Sequence, residues 1–312
     1  MRPALCSVVI TACALLAVSG KAQESQDWQW CVNEGDTFSA DQQIAGCTAI
    51  TQSGQETEKD RLAKAYSSRG IAWLDKGDFD RAIADFNDAI RLDPTRAAPY
   101  NSRGGAWRSK GDLGRATADF DAAIRIDPTF AFAFNNRGVV WRDKGDLDRA
   151  LADFDEAVRL DPKYALAYNN RGVTWRGKGD LDRAIADFDE AVRLDPKYPI
   201  AYRNRGDARR DKGDLDGAIA DYDAAIRLNP EYAYAYNNRG NAWYDKGDLD
   251  RAIADYDAAI RIDPKYAAVY RNRGNAWRRK GDSVRAIADY DEAIRLSAPQ
   301  SQDGDVGAKH TP

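Results

Sequence analysis

From Ala63 to Gln300 the order of apolar and polar positions repeats every 34 residues, seven times, without an insertion. Each period divides into two amphipathic stretches. In residues 131–164, Phe134, Gly138 and Trp141 are spaced by four and three, which puts them on one stripe of a helix near Ala131 to Lys144. Leu147, Ala150, Phe154 and Ala157 form the matching stripe of a second helix near Leu147 to Leu160. Gly145-Asp146 is a turn with Asp146 as candidate N-cap, and Asp161-Pro162 ends the second helix because proline cannot continue its hydrogen-bond ladder. The pattern predicts an all-α chain of antiparallel helical hairpins, in units 63–96, 97–130, 131–164, 165–198, 199–232, 233–266 and 267–300. Gly at the eighth place and Ala at the twentieth and twenty-seventh oppose large residues to small ones. One unit cannot bury its stripes alone, so neighbours must stack.

Residues 24–62 read as an eighth, degenerate hairpin. Ser39 followed by Gln42 is a capping box, opening a helix through Ile50. Aligned with the first regular unit, Cys47 takes the place of Phe86 and Cys31 that of Gly70, two places that face each other within a helical pair. A Cys31–Cys47 disulfide would clip this hairpin and contribute roughly 3 kcal/mol. Gln55 to Asp60 reads as a polar connector of extra length, so that 23–62 is hairpin plus connector. Ahead of it, Arg2 and the uncharged run Ala4 to Gly20 read as a signal peptide over 1–22, cleaved after Ala22. The alternatives are an uncleaved N-terminal anchor and a lipid anchor on Cys13, for which Ile10-Thr11-Ala12 is a poor match. The expected location is the periplasm or the exterior, with no membrane span in the mature chain. Loss of Arg2 and Lys21 takes the net charge from −4 to −6. After Ser297 the pattern stops, and 301–312 reads as a disordered tail.

Charge and composition exclude several function classes. A net charge of −4 offers no basic surface for nucleic acid. The one histidine, His310, lies in the tail, and no nucleophile–base set, metal cluster or phosphate loop can be read, so neither catalysis nor a cofactor is expected. Charged residues alternate in sign on the helix faces. Asp155 and Arg159 are placed for an i,i+4 pair, recurring as Asp121/Arg125, Asp189/Arg193, Asp223/Arg227, Asp257/Arg261 and Asp291/Arg295. The arginine before each repeat glycine, Arg69 through Arg273, is expected to join a carboxylate of the adjacent hairpin, and the tryptophans Trp73 through Trp277 are expected in the core.

The repeat resembles the tetratricopeptide repeat. Tyr168, Gly172, Ala184, Phe188, Ala191 and Pro196 match its pattern, while Trp175 stands where the family prefers Tyr and Arg171 replaces the usual Leu. The resemblance covers 238 of 312 residues. It implies a right-handed superhelix (α-solenoid) with first helices lining the concave side, where proteins or peptides bind. On that side Phe132, Asn136, Val139 and Asp143 lie opposite the core stripe. The amide recurs as Asn170, Asn204, Asn238 and Asn272, and the line resembles the asparagine ladder of the repeat domain of O-GlcNAc transferase, which grips an extended peptide backbone. The alternative is that these amides bond along their own array. Beside them run Arg108, Arg142, Arg176, Arg210 and Arg278, thickened by Arg203, Arg205 and Arg209 in the fifth unit. Arg209 stands where other units place Trp; it either serves a ligand or pairs with a carboxylate. Arg271 and Asn275, or Asn241 and Asn272, match parts of the family's carboxylate clamp, but the set is incomplete.

The expected function is a noncatalytic scaffold of the bacterial envelope that binds extended protein segments, acidic ones among them, through Asn136, Asn170, Asn204, Asn238, Asn272, Arg142, Arg176, Arg203 and Arg210. The alternative is an assembly subunit that oligomerises by stacking through its last repeat, whose Ile287 and Ile294 the polar tail covers poorly.

Overall fold

A computed structural model describes residues 26–54 and 58–298. The expected leader (1–22) and tail (301–312) lie outside these residues. Helices follow one another as α1 (26–32), α2 (Ala40–Gln52), α3 (Lys59–Asp75), α4 (Phe79–Leu92), α5 (Ala97–Ser109), α6 (Leu113–Ile126), α7 (Ala131–Asp143) and α8 (Leu147–Leu160). They continue as α9 (Ala165–Gly177), α10 (Leu181–Leu194), α11 (Pro199–Asp211), α12 (Leu215–Leu228), α13 (Ala233–Lys246), α14 (Leu249–Ile262), α15 (Ala267–Arg279) and α16 (Ser283–Ser297). No strand occurs among the described residues. α3 begins at Lys59, so the end of the expected connector is already helical.

The chain forms two compact units, Met1–Lys163 and Tyr164–Pro312. In the first, α3/α4, α5/α6 and α7/α8 are hairpins, α2 packs on α3, and the second helix of each hairpin packs on the first helix of the next. First helices also touch across repeats, α3 on α5 and α5 on α7, whereas the second helices α4, α6 and α8 do not touch one another. The second unit repeats this arrangement with α9/α10 to α15/α16. First helices are thus the inner layer of each unit, and what they expose is the surface a groove would offer.

Local chemistry fixes each hairpin. Gly145 turns the chain at φ 80°, and the Asp146 carboxylate caps α8 by accepting from the backbone N–H of Arg149 at 3.0 Å. A Cβ at Gly138 would lie 2.8 Å from Phe154 Cε1, so glycine there is a condition for the approach of α7 to α8. In the N-terminal hairpin the corresponding places hold Cys31 and Cys47, both fully buried, with their Sγ atoms 2.13 Å apart. The capping box is present, Ser39 Oγ accepting from Gln42 N–H and Gln42 Oε1 from Ser39 N–H. The fully buried positions of α7 are mostly small, Ala133, Gly138 and Val140, while Phe134 and Trp141 are half-buried at the rim. Arg149 stacks on Trp141 at 3.9 Å, and the same cation–π pair joins Arg81/Trp73, Arg115/Trp107, Arg183/Trp175, Arg251/Trp243 and Arg285/Trp277.

The arginine before each glycine clasps its own hairpin. Arg137 Nε and Nη2 take both oxygens of the buried Asp153 at 2.9 and 2.7 Å, a bidentate fork. Its Nη1 donates to Asp121 of the preceding hairpin at 2.6 Å. Arg205 with Asp221 and Asp189, Arg239 with Asp255 and Asp223, and Arg273 with Asp289 and Asp257 do the same. This corrects the i,i+4 pairs expected on the outer face. Asp121, Asp189, Asp223 and Asp257 serve the next repeat, while Arg193 and Arg295 pair with Glu190 and Glu292 one turn away.

Candidate functional site

Asparagine holds the sixth place of the third to seventh repeats, and the bonds of Asn136, Asn204, Asn238 and Asn272 stay within the chain. In the first compact unit Asn136 Nδ2 donates to Asn101 Oδ1 at 3.0 Å, and Asn135 Nδ2 to Asn136 Oδ1 at 3.1 Å. In the second, Asn204 donates to Asn169 at 2.7 Å, Asn272 to Asn237 at 2.9 Å, and Asn237 to Asn238 at 3.0 Å. Asn238 donates instead to Asp207 Oδ1 at 2.8 Å, because the fifth unit has Arg203 where the other partners are Asn. Asn170 and Asn204 are buried; Asn136, Asn238 and Asn272 are half-buried. Of the two alternatives left open by the sequence, bonding along the array is the one the geometry displays.

Three arginines of the line are likewise paired. Arg108, Arg176 and Arg210 each donate through Nε to an aspartate of the next unit, Asp143, Asp211 and Asp245, at 2.6 Å. Burial holds the Arg142 guanidinium below its ordinary pKa, against the attraction of Asp143. In the fifth unit Arg203 reaches Asp207 at 3.3 Å and the Tyr232 hydroxyl at 3.2 Å, and Arg209 reaches Asp221 at 3.0 Å. Where other units place an arginine over their tryptophan, this one has Gly217, so the replacement of Trp by Arg209 is matched by removal of the cation that would oppose it. Val139, expected on the exposed face, is buried. Arg271 and Arg278 of α15 are exposed and have no carboxylate partner among the described residues.

Two features escaped the sequence reading. Up to Val173, the ninth place of each unit is Ile71, Gly105, Val139 or Val173, and the aromatic it faces on the second helix is Phe. In the last three units the ninth place is Asp207, Asn241 and Asn275, and the aromatic is Tyr222, Tyr256 and Tyr290. Each tyrosine hydroxyl donates to that residue's Oδ1, at 2.8, 2.8 and 3.0 Å. Bonding at Oδ1 leaves the Nδ2 groups of Asn241 and Asn275 without a partner among the described residues. Together with Arg210, Tyr244, Asp245 and Asn272 they line a small polar hollow. The parallel change at two places 15 residues apart was the available signal.

The second feature is apolar. Leu166, Ile200 and Tyr234, at the second place of α9, α11 and α13, are each at least 40% exposed. Tyr234 lies with Tyr232 and Tyr266 in an aromatic cluster, ring centroids 6.2 and 4.9 Å apart. Amide donors can hold a peptide carbonyl, and exposed apolar residues on the same layer of helices can seat its side chains. No group of three or more metal-binding side chains occurs among the described residues, and none of their helices is long and apolar enough to cross a membrane.

Tetratricopeptide-repeat family models match residues 63–96, 137–199 and 203–267. No curated protein sequence matches the chain. Among solved structures, a chain of the APC/C hetero-tetramer Cut9–Hcn1 is 19% identical, with TM-score 0.66 over 83% of this chain and 50% of that one. This chain therefore spans about half of that protein's length. A tetratricopeptide repeat protein from Parabacteroides merdae ATCC 43184 is 21% identical, with TM-score 0.60 over 76% of this chain and 94% of its own. PilF of Pseudomonas aeruginosa is 19% identical, with TM-score 0.59 over 66% and 94%. These likenesses are of fold.

Proposed function

Because this chain belongs to the tetratricopeptide-repeat family, whose members are protein-interaction scaffolds, we propose that it is a noncatalytic scaffold of the bacterial envelope that binds an extended protein segment along its first helices. The observation that carries the reading is the pair of tyrosine-held amides, Asn241 and Asn275, which line the polar hollow, with Ile200 and Tyr234 exposed on first helices of the same unit. Their donors suit backbone carbonyls, so the recognition would tolerate sequence variation and draw its preference from these apolar residues. Within the second unit Asn204, Asn238 and Asn272 and the arginines Arg176, Arg203 and Arg210, each bonded inside the array, position this surface. An acidic partner is favoured at α15, where Arg271 and Arg278 stand free of carboxylates.

Export in this reading rests on the apolar run Ala4 to Gly20, and the Cys31–Cys47 pair suits an oxidising compartment. Affinity capture from an envelope extract tests the groove. The mature protein should retain a partner that the Tyr234→Ser/Asn275→Ala variant loses at unchanged helicity. Equal capture by both would overturn the reading.

A second reading, assembly through the last repeat, is favoured by α16, where Ile287 and Ile294 are 59% and 69% exposed, while the equivalent Ile219 and Ile226 of α12 are buried and half-buried. Sedimentation of the protein alone and with captured partners separates the two.

A further inference from the structure

The N-terminal ends of the first helices in the second unit carry two rows in register. Tyr164, Tyr198, Tyr232 and Tyr266 each stand immediately before a first helix. Leu166, Ile200 and Tyr234 follow at the second place, all exposed, and Ala268 ends that row. The rows meet at Tyr234. Its ring is tilted against Tyr232, just before its own helix, and against Tyr266, just before the next. Arg203 Nε donates to the Tyr232 hydroxyl at 3.2 Å and so fixes that ring. A single exposed apolar residue is ordinary, but the same place filled this way on three successive helices makes a strip.

The repeat sets the spacing of the strip. α9 touches α11, α11 touches α13 and α13 touches α15. Helices in contact lie about 8–10 Å apart, so the strip offers one apolar seat per such interval. A β-strand returns a side chain to one face after two residues, about 6.6 Å, or after four, about 13 Å, and misses this interval. An α-helix returns after seven residues, about 10.5 Å, but its carbonyls are already bonded to its own N–H groups. A polyproline II chain has three residues per turn, returns after about 9.3 Å, and has no internal hydrogen bonds. Its open carbonyls find donors here. Asn241 and Asn275 come seven residues after Tyr234 and Ala268, two turns along the same helix face and about 10.5 Å away. Their Nδ2 groups are unbonded among the described residues, since Oδ1 is the atom that accepts from Tyr256 and Tyr290.

We propose that this strip binds a polyproline II segment of another protein with proline at every third position, one ring against each of Leu166, Ile200 and Tyr234, and backbone carbonyls turned towards Asn241 and Asn275. Proline presets the φ of this conformation and has no N–H to leave unpaired, so little ordering entropy is lost on binding. The chain's own end does not supply the segment. After Pro299 the third positions are Gln302, Asp305 and Ala308, and no frame of 299–312 is apolar at three successive third positions. Pro196 and Pro199, the only prolines of the sequence three residues apart, are fixed in the turn before α11 and at its first residue in every copy. This inference rests on the groove reading above and adds the conformation and period of the bound segment.

The test uses the full chain and two labelled peptides in fluorescence polarisation. One is Pro-Gln-Ser repeated four times; the other has the same composition with its prolines at alternate positions. The first should bind at least about tenfold more tightly. Ile200→Gln and Tyr234→Ser, both at exposed sites, should each weaken it by about fivefold or more while helicity is retained. Equal binding of the two peptides, binding of neither, or insensitivity to both variants overturns the proposal. So does a dimer in sedimentation that Tyr234→Ser dissolves, which would assign the strip to a second copy. If neither peptide is preferred while the Tyr234→Ser/Asn275→Ala variant still loses the captured partner, the groove reading stands and the polyproline chemistry fails. Absence of a preference together with equal capture would end both.

Discussion

Tyr256 donates its hydroxyl to Asn241 Oδ1 at 2.8 Å, across the interface of α13 and α14, in a place where earlier units oppose Phe to an apolar residue. The tyrosine is almost fully buried, and burial is the first cause pushing its pKa above the ordinary value. Asn241→Val alone should strand this hydroxyl and cost about 1–3 kcal/mol of unfolding free energy. Asn241→Val with Tyr256→Phe recreates the pairing of Val173 with Phe188 and should recover most of the loss. Urea unfolding of the four members of the cycle checks this, and additive losses would contradict it.

The N-terminal hairpin uses a bond where its neighbours use packing. Cys31→Ala/Cys47→Ala should lower the stability of the α1/α2 region by about 2–4 kcal/mol. Cys31→Gly/Cys47→Phe should regain part of this by installing the contact that Gly70 makes with Phe86. Hydrogen exchange of residues 26–52 should rise in the first variant and fall back in the second, with the second unit unchanged in both.

Asn204 is buried with its donor on Asn169. Asn204→Ala should cost about 1–3 kcal/mol in a thermal or urea melt by leaving the Asn169 carbonyl unpaired. Binding per folded molecule at the groove should hardly change. A large loss of affinity at unaltered stability would return this amide to the ligand-contacting set.

The fifth unit lost an aromatic and the cation that would cover it. Arg209→Trp with Gly217→Arg should stabilise the protein by roughly 1–2 kcal/mol, combining a stacked cation with the replacement of glycine inside α12. Gly217→Arg alone brings a second cation towards Arg209 and should give less. Chemical denaturation of the two variants is sufficient to rank them.

Acid should loosen the hairpins through their caps. Asp146 and Asp248 are held below the ordinary carboxylate value of 3.8, first by the backbone N–H of Arg149 and Arg251 and then by those guanidinium groups. Their contribution is fully present above 3.8 and is lost as pH falls through the depressed value. Asp221 and Asp255, raised by burial, act in the opposite sense, their contribution being present at low pH and lost as pH rises through the raised value. Asp146→Asn with Asp248→Asn keeps both caps without a titrating group. The double variant should match the parent near neutrality and lose stability less steeply below 3.8. Circular dichroism melts across the acid range test it; an unchanged slope would remove the caps as its source.

Period, helix pairs, caps and stops were legible in the sequence because each depends on residues within a turn or two of one another. Asp146 caps α8 through Arg149 three residues on, and Gly138 faces Phe154 within a single hairpin. What a charged or amide side chain bonds to was settled in three dimensions. Asp121 has Arg125 one turn away, yet it accepts from Arg137, because stacking brings that guanidinium in from the next hairpin already fixed by its fork on Asp153. Asn204 turns to Asn169, 35 residues off, since the contact of successive first helices removes these amides from water and they must find partners there. Arg210 pairs with Asp245, also 35 residues off, at the half-exposed rim of the next such contact. Long polar side chains have several partners within reach of any local rule. Only the packed array, through burial and the direction of each neighbouring dipole, selects one.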